Sequence, residues 1–213
     1  MNRRFGILFL AAAALGCSEQ SAPSGPREIL PGRLTLHGDR AFDATGAPTF
    51  KDKAVVPATF AVAILDSVGG PVILAFNERS AGRGDFFILS LTTLRTGTFG
   101  PCADGPSTTY ADGSILTLAG PCQVRLLEDV AASGMVFSSR GFLQSVGGTV
   151  HVETIGDRLV GTVANLQLAG VRADSTAVTI TSGEFDLPLL RGAQAHAVSM
   201  CFLSNAVGKQ CGN

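Results

Sequence analysis

The chain has 213 residues, with 16 Lys+Arg against 17 Asp+Glu and a net charge of −1, which excludes a nucleic-acid binder acting through bulk positive charge. Only 15% of the residues are charged and 46% are apolar, a balance that argues against a disordered chain. No apolar run reaches the roughly 18 residues of a membrane-spanning helix, and the length allows one sizeable core.

From the N-terminus, Arg3 and Arg4 precede an apolar stretch, Phe5 to Leu15, of about eleven residues. That is too short for a stable membrane anchor and suits the apolar region of an export signal. The stretch ends in Ala14-Leu15-Gly16-Cys17, which resembles the lipobox of bacterial lipoproteins. The resemblance implies that residues 1–16 are a signal peptide and that Cys17 is acylated as the first residue of the mature chain. It also implies a place in the outer membrane, because Ser18 and not Asp follows the cysteine. Loss of residues 1–16 takes Arg3 and Arg4 with it and shifts the charge to −3. Residues 17–32 are rich in Ser, Gly and Pro and carry few large apolar groups, so they read as a flexible tether.

The remaining segment, 33–213, reads as a single β-rich domain. Helix signals are nearly absent, and strand signals recur about every ten residues between Gly, Pro, Asn and Asp. The predicted strands are 33–38, 58–65, 71–77, 85–92, 114–119, 122–128, 134–144, 148–155, 158–168, 175–182, 184–189 and 196–203. Together they predict an all-β fold, an antiparallel β-sandwich or open β-barrel of nine to twelve short strands.

Gly38 to Gly46 holds Asp39 and Asp43, four residues apart, and Asp104 and Asp112 each precede a glycine. Calcium needs three or more oxygen ligands in alternation, so these acids read first as turn residues. In 58–65, Phe60, Val62 and Ile64 alternate with Ala61 and Ala63, and Val72, Leu74 and Phe76 repeat the pattern after a glycine turn. This period of two predicts half-buried antiparallel strands with one heavy and one light face.

Besides Cys17 there are four cysteines, Cys102, Cys122, Cys201 and Cys211. An even number in an exported chain predicts disulfides, of which the local pairing Cys102–Cys122 with Cys201–Cys211 is the simplest of three. No Cys-x-x-Cys or nearby His spacing supports zinc. The first loop contains Tyr110 and Asp112, held by the cross-link, and these are the candidate recognition residues. A purely structural staple is the plainer reading of the same loop.

Residues 147–163, GGTVHVETIGDRLVGTV, read as a hairpin turning at Gly156-Asp157 in a two-residue turn. The resulting register sets Ile155 against Arg158, Glu153 against Val160 and Val152 against Gly161. Val150, Val152, Leu159 and Val163 then face a core, and His151, Glu153, Arg158 and Thr162 face solvent. His151 and Glu153 could together bind a metal or move a proton, but their polar neighbours mark an outer face. His37 and His196 have no ligand at a metal spacing. Further on, Val178, Ile180, Phe185 and Leu187 point inward, and Thr179, Thr181, Glu184 and Asp186 outward.

The succession G-G-T-V-x-V (147–152), G-T-V (161–163) and V-T-I-T-x-G-x-F-D (178–186), preceded by L-T-T-L-R-T-G-T-F (91–99), resembles a pattern in bacterial secreted lipoproteins of unknown function. The resemblance spans about residues 58–190 and implies a β-rich fold; it assigns no functional residue.

No Gly-x-Ser-x-Gly elbow and no phosphate loop is present, and Ser138-Ser139-Arg140-Gly141 lacks the context of a nucleophile. With one Tyr and no Trp, stacking of sugar rings is disfavoured. No cofactor is expected. The expected function is a non-enzymatic envelope lipoprotein, an interaction or small-ligand-binding module, whose partners are the membrane through its lipid and an unknown protein or small molecule. The alternative is an envelope hydrolase with a site assembled from distant residues.

Overall fold

The computed structural model describes residues 31–46, 59–65, 70–80, 83–103, 120–133, 136–138, 141–170 and 177–195. They form eleven strands: β1 (Gly32–Gly38), β2 (Phe42–Gly46), β3 (Phe60–Leu65), β4 (Val72–Ser80), β5 (Arg83–Leu91), β6 (Gly97–Phe99), β7 (Cys122–Ser133), β8 (Val136–Ser138), β9 (Gly141–Ile155), β10 (Arg158–Gly170) and β11 (Val178–Arg191). One turn of helix follows at residues 192–195. The expected all-β class is what forms. The strands are not all short, however, since β7, β9, β10 and β11 have 12, 15, 13 and 14 residues. The predicted strands 114–119 and 196–203, like residues 1–30, lie outside the described residues.

Seven strands pair in the order β10-β9-β7-β5-β4-β3-β11, and β10 pairs with β11 to close the ring. Of the two architectures predicted, the chain adopts a barrel, and the barrel is closed. Its pairings are antiparallel except at β11–β3, which is parallel and only three residues long, Leu189 to Arg191 against Ala63 to Leu65. Along the rest of that edge of β11, β1 pairs instead, from Arg33↔Asp186 to Gly38↔Ile180, and β2 pairs with β1. The β1–β2 hairpin is therefore a wedge in the split between β11 and β3. A second split opens along β9, which pairs with β7 over Gly141 to Gln144 and with β6 over Val150 to Val152.

Seven strands leave an interior only wide enough for side chains, and here it is filled. Leu34, Leu36, Phe42, Phe87, Phe99, Val150, Val152 and Phe185 belong to one buried cluster to which every barrel strand contributes. Phe42 of the wedge meets Phe87 with ring centroids 5.9 Å apart. The inward residues of β3 and β4 include the small Ala61, Ala63 and Ala75, which leave room for these rings. The heavy residues Phe60, Val62, Ile64, Leu74 and Phe76 lie on the opposite face and are also buried. Both faces of β3 and β4 are thus covered, which corrects the expectation of half-buried strands there.

A small barrel must bend its strands sharply, and four neighbouring strands do so along one line. On β9 the inward residues change from Leu143 and Ser145 to Val150 and Val152, an odd-to-even switch across Gly147-Gly148. On β10 they change from Leu159 and Val163 to Leu166 and Leu168 at Asn165, whose φ is 51°. On β11 the switch from Ile180 to Phe185 passes through the exposed pair Thr181-Ser182, and on β1 the register shifts between His37 and Gly38. The predicted break between 175–182 and 184–189 is therefore a bulge within one strand, and that between 134–144 and 148–155 another. Bulges bend a strand and increase its twist, which lets the sheet coil into a closed ring.

The predicted hairpin is present with Val152↔Gly161 as expected, but Ile155 pairs with Leu159 and Thr154 with Val160. Gly156 N–H bonds Arg158 O at 3.0 Å, so the turn takes in Arg158. A shift between Val160 and Gly161 absorbs the extra residue at Glu153 and restores the register.

At Gly148 the bend leaves no room for a side chain. Its φ is +103°, and a Cβ there would lie 2.6 Å from both Asn165 O and Leu166 Cα. Backbone atoms cannot swing aside as a side chain can, so Gly148→Ala should cost at least about 2 kcal/mol. Urea unfolding of the variant checks this; an unchanged midpoint would remove the bend from the features that hold the barrel.

Candidate functional site

Three groupings of reactive or polar residues emerge, and long-range pairing builds each of them. The first surrounds the disulfide. Cys102 and Cys122 are joined, with their Cα atoms 4.6 Å apart, and both are fully buried. This is the local pairing expected from the sequence; Cys201 and Cys211 lie outside the described residues. From β6 the chain runs through a cis Gly100–Pro101 peptide to Cys102, whose N–H bonds Gly148 O at 2.9 Å, and Ala103 bridges to Val146. The staple thus ties the strand that fills the second split to the start of β7. Where β7 and β9 part, Ser145 Oγ accepts the Val124 N–H at 2.9 Å, so the bent edge keeps its hydrogen bond. Tyr110 and Asp112 lie between the two cysteines and outside the described residues, as does Cys17. Val146, which bridges to Ala103, is the large hydrophobic residue that stands exposed among the described residues, at 58%.

The second grouping is the polar outer wall. Cross-strand pairing lines up Thr98, His151, Thr162, Glu184, Thr35 and Asp43 over β6, β9, β10, β11, β1 and β2. Sequence proximity suggested Glu153 as the companion of His151, but the ring Nδ1 lies 3.0 Å from Thr98 Oγ1 instead. Beside it, the guanidinium of Arg95 sits 4.4 Å from the centre of the Phe99 ring. Next to this row lies an open groove of about 250 Å³, lined by Arg33, Glu153, Thr162, Glu184 and Asp186. Arg33 pairs with Glu184 at 2.7 Å, and Arg158 binds the Asp186 carboxylate and also donates to the carbonyls of Asp186 and Pro31 at 2.9 and 3.0 Å. Arg33, Glu184 and Asp186 are more than half exposed, and such pairs contribute little to stability.

The third grouping sits at the end of the barrel beside the wedge. Asp85 is 2% exposed, accepts the Asp129 N–H at 3.1 Å and pairs with Arg79. The Asp129 carboxylate takes two bonds of 2.8 Å from Arg83. Asp129 has a φ of 52° at the β5–β7 bulge, and Arg40 at the tip of the wedge pairs with Glu128. This network satisfies the polar groups that a second bend brings inward. Nothing in the local pattern announced it, because Asp85 and Asp129 read as ordinary strand-end acids.

Of the acids weighed for calcium, Asp39 and Asp43 are described, and Asp104 and Asp112 lie outside the described residues. Asp39 Oδ2 accepts the Thr179 N–H at 3.0 Å, capping the β1–β11 pairing, and Asp43 is exposed on β2. His37 is exposed opposite Ser182. Among the described residues no group of three or more His, Cys, Asp or Glu is placed to hold a metal ion.

Two outcomes follow from these contrasts. Removing the buried acceptor, Asp85→Ala, takes away the hydrogen bond to the Asp129 N–H and the buried end of the Arg79 pair and should cost about 1–3 kcal/mol, whereas Arg33→Ala on the solvated wall should cost less than about 1 kcal/mol; denaturant titration compares the two. Replacing Cys102 and Cys122 together by Ala should cost roughly 3 kcal/mol in the chain-entropy model. In the intact protein the same disulfide should resist dithiothreitol until denaturant opens the barrel, as thiol labelling over time would reveal.

No protein-family model, curated protein or solved structure matches the chain.

Proposed function

We propose that this chain is a non-enzymatic lipoprotein of the bacterial cell envelope, held on the outer membrane through a lipid at Cys17 and presenting a rigid barrel to a partner in the same compartment. The observation that carries the reading is the filled interior. Phe42, Phe87, Phe99 and Phe185, with the aliphatic residues around them, occupy the space that a ligand-carrying barrel keeps open. Recognition therefore belongs to the outside. The export-type N-terminus, the Pro- and Ser-rich residues 17–32 and the Cys102–Cys122 disulfide support an oxidising location beyond the cytoplasm.

The loop between Cys102 and Cys122 is our choice of recognition element, with Tyr110 and Asp112 near its middle. The staple anchors both of its ends to the barrel, and Val146 adds exposed apolar surface at its base. A loop with fixed ends loses less entropy on binding than a free one.

The test has two arms. In a bacterial host with two membranes, the full chain should fractionate with membranes and yield an acylated N-terminal peptide beginning at Cys17, and Cys17→Ser should move it to the soluble periplasmic fraction. A soluble wild-type chain beginning elsewhere would refute the anchor. A photoreactive residue placed at Tyr110 should capture a discrete envelope partner that the same residue at Thr181 does not. Equal capture at both positions would refute the loop.

A further inference from the structure

Where β5, β7 and β9 run side by side, the outer wall carries a cation that the neighbouring strands do not neutralise. Arg125 lies in the middle of β7, opposite Ile88 of β5 and Gln144 of β9. Val124 and Leu126 on either side of it belong to the inner core, so the Arg125 side chain leaves from the outer face. There it is half-buried, and its Nε, shut off from solvent, makes no hydrogen bond. A buried N–H on a charged group costs free energy when it goes unpaired, and native structures rarely keep one without a reason.

The register explains the missing partner. The neighbours of Arg125 on that face are Gln123 and Leu127 along β7, Ile88 and Ser90 on β5, and Phe142 and Gln144 on β9, and none of them is acidic. The next carboxylate along β7, Glu128, pairs with Arg40 at the end of the barrel, and Asp85 and Asp129 answer Arg79 and Arg83. The surroundings of the guanidinium have two characters. Ser90, Gln123 and Gln144 are neutral groups with O–H or N–H donors. Ile88 and Leu127 are half-buried apolar chains at the margin of the outer cluster that contains Phe60, Phe76 and Phe86.

We propose that Arg125 anchors a ligand site on this wall, and that the ligand is a carboxylate carried on a short apolar chain. A planar guanidinium matches a carboxylate with two parallel N–H···O bonds, and Nε supplies one of them. The single positive charge balances a single carboxylate. A phosphate monoester carries nearly two charges and would leave one of them uncompensated in a half-buried place. The Gln144 amide, directly opposite, and the Ser90 hydroxyl, on the diagonal, stand at cross-strand positions from which they can donate to the remaining lone pairs. Ile88 and Leu127 give the apolar chain its bed. The site depends neither on the loop between Cys102 and Cys122 nor on a lipid at Cys17.

The full chain in detergent, with hexanoate as the probe, tests this. In a magnetic-resonance spectrum of the arginine Nε–H groups, the Arg125 signal is identified by its loss in Arg125→Met. It should move saturably with hexanoate and stay in place with hexanol, while the signal of Arg95 stays in place with both. At ten times its dissociation constant, hexanoate should raise the thermal midpoint by about 3–6 °C. Arg125→Lys, which keeps the charge and loses the fork, should forfeit at least half of that gain. Without ligand, Arg125→Met should melt no lower than the wild type, because it removes an unpaired half-buried cation. An Arg125 signal that hexanoate leaves unmoved overturns the proposal. So does a lower midpoint of ligand-free Arg125→Met, which would mean that the chain supplies the counter-ion itself. Equal movement of the Arg125 and Arg95 signals, or an equal response to hexanoate and diethyl phosphate, overturns it in favour of unselective anion binding.

Discussion

Closing a sheet of only seven strands demands more curvature than regular strands supply. The chain meets this demand with aligned irregularities: Gly147-Gly148 on β9, Asn165 on β10, Thr181-Ser182 on β11 and the shift at His37 on β1. Those on β9, β10 and β11 reverse which side chains point inward, and because the four strands are neighbours the whole wall turns together. The interior stays continuous through the turn, from Val150 and Val163 on one side of it to Leu143, Leu166 and Ile180 on the other. The opposite wall bends at β5–β7, where Asp129 takes a positive φ and Asp85 is drawn inward. There the bend is held by charge, with Arg79 and Arg83 supplying the partners that a buried carboxylate and its neighbour require.

Such bending has a geometric by-product. A long strand that turns cannot keep one neighbour along its whole edge, so β9 passes from β7 to β6 and β11 from β1 to β3. Each of the two forks carries a specific device. At β11 it is the β1–β2 wedge, which drives Phe42 into the core and sets Arg40 against Glu128. At β9 it is the buried disulfide, backed by the Ser145 hydroxyl. The segment between the two cysteines begins and ends at the second fork, so a requirement of barrel closure also fixes its two ends.

Much of this was legible in the sequence, and the residues show why the remainder was not. Period-two faces identified the inward sets Val150, Val152, Leu159 and Val163, and Val178, Ile180, Phe185 and Leu187, all of them now buried. Cysteine spacing identified the staple. By contrast, β2 was hidden behind Asp39 and Asp43, which drew attention as possible ligands, although Phe42 and Ala44 alternate with polar residues as a strand should. Bulges read as turns, because Gly-Gly and Thr-Ser-Gly serve either purpose and only the neighbouring strand distinguishes them. The heavy and light faces of β3 were seen, but not that the light one would face the interior; that depends on Phe42 and Phe87, which other parts of the chain supply. The Thr98–His151 contact and the Asp85 network were beyond local reading, since their partners lie 53 and 44 residues apart.

The position of β11 in the ring bears on how the protein comes to be folded at all. Residues 178–191 are the last strand among the described residues, yet they pair with β1, β3 and β10. Contacts between residue 34 and residue 185 cannot form until nearly the entire domain has been synthesised. Loop-closure entropy makes such non-local pairing slow. A chain emerging from the ribosome therefore cannot close its ring until this strand is available. Barrel closure thus waits on the last fifth of the sequence, which acts as the trigger for cooperative collapse of the rest.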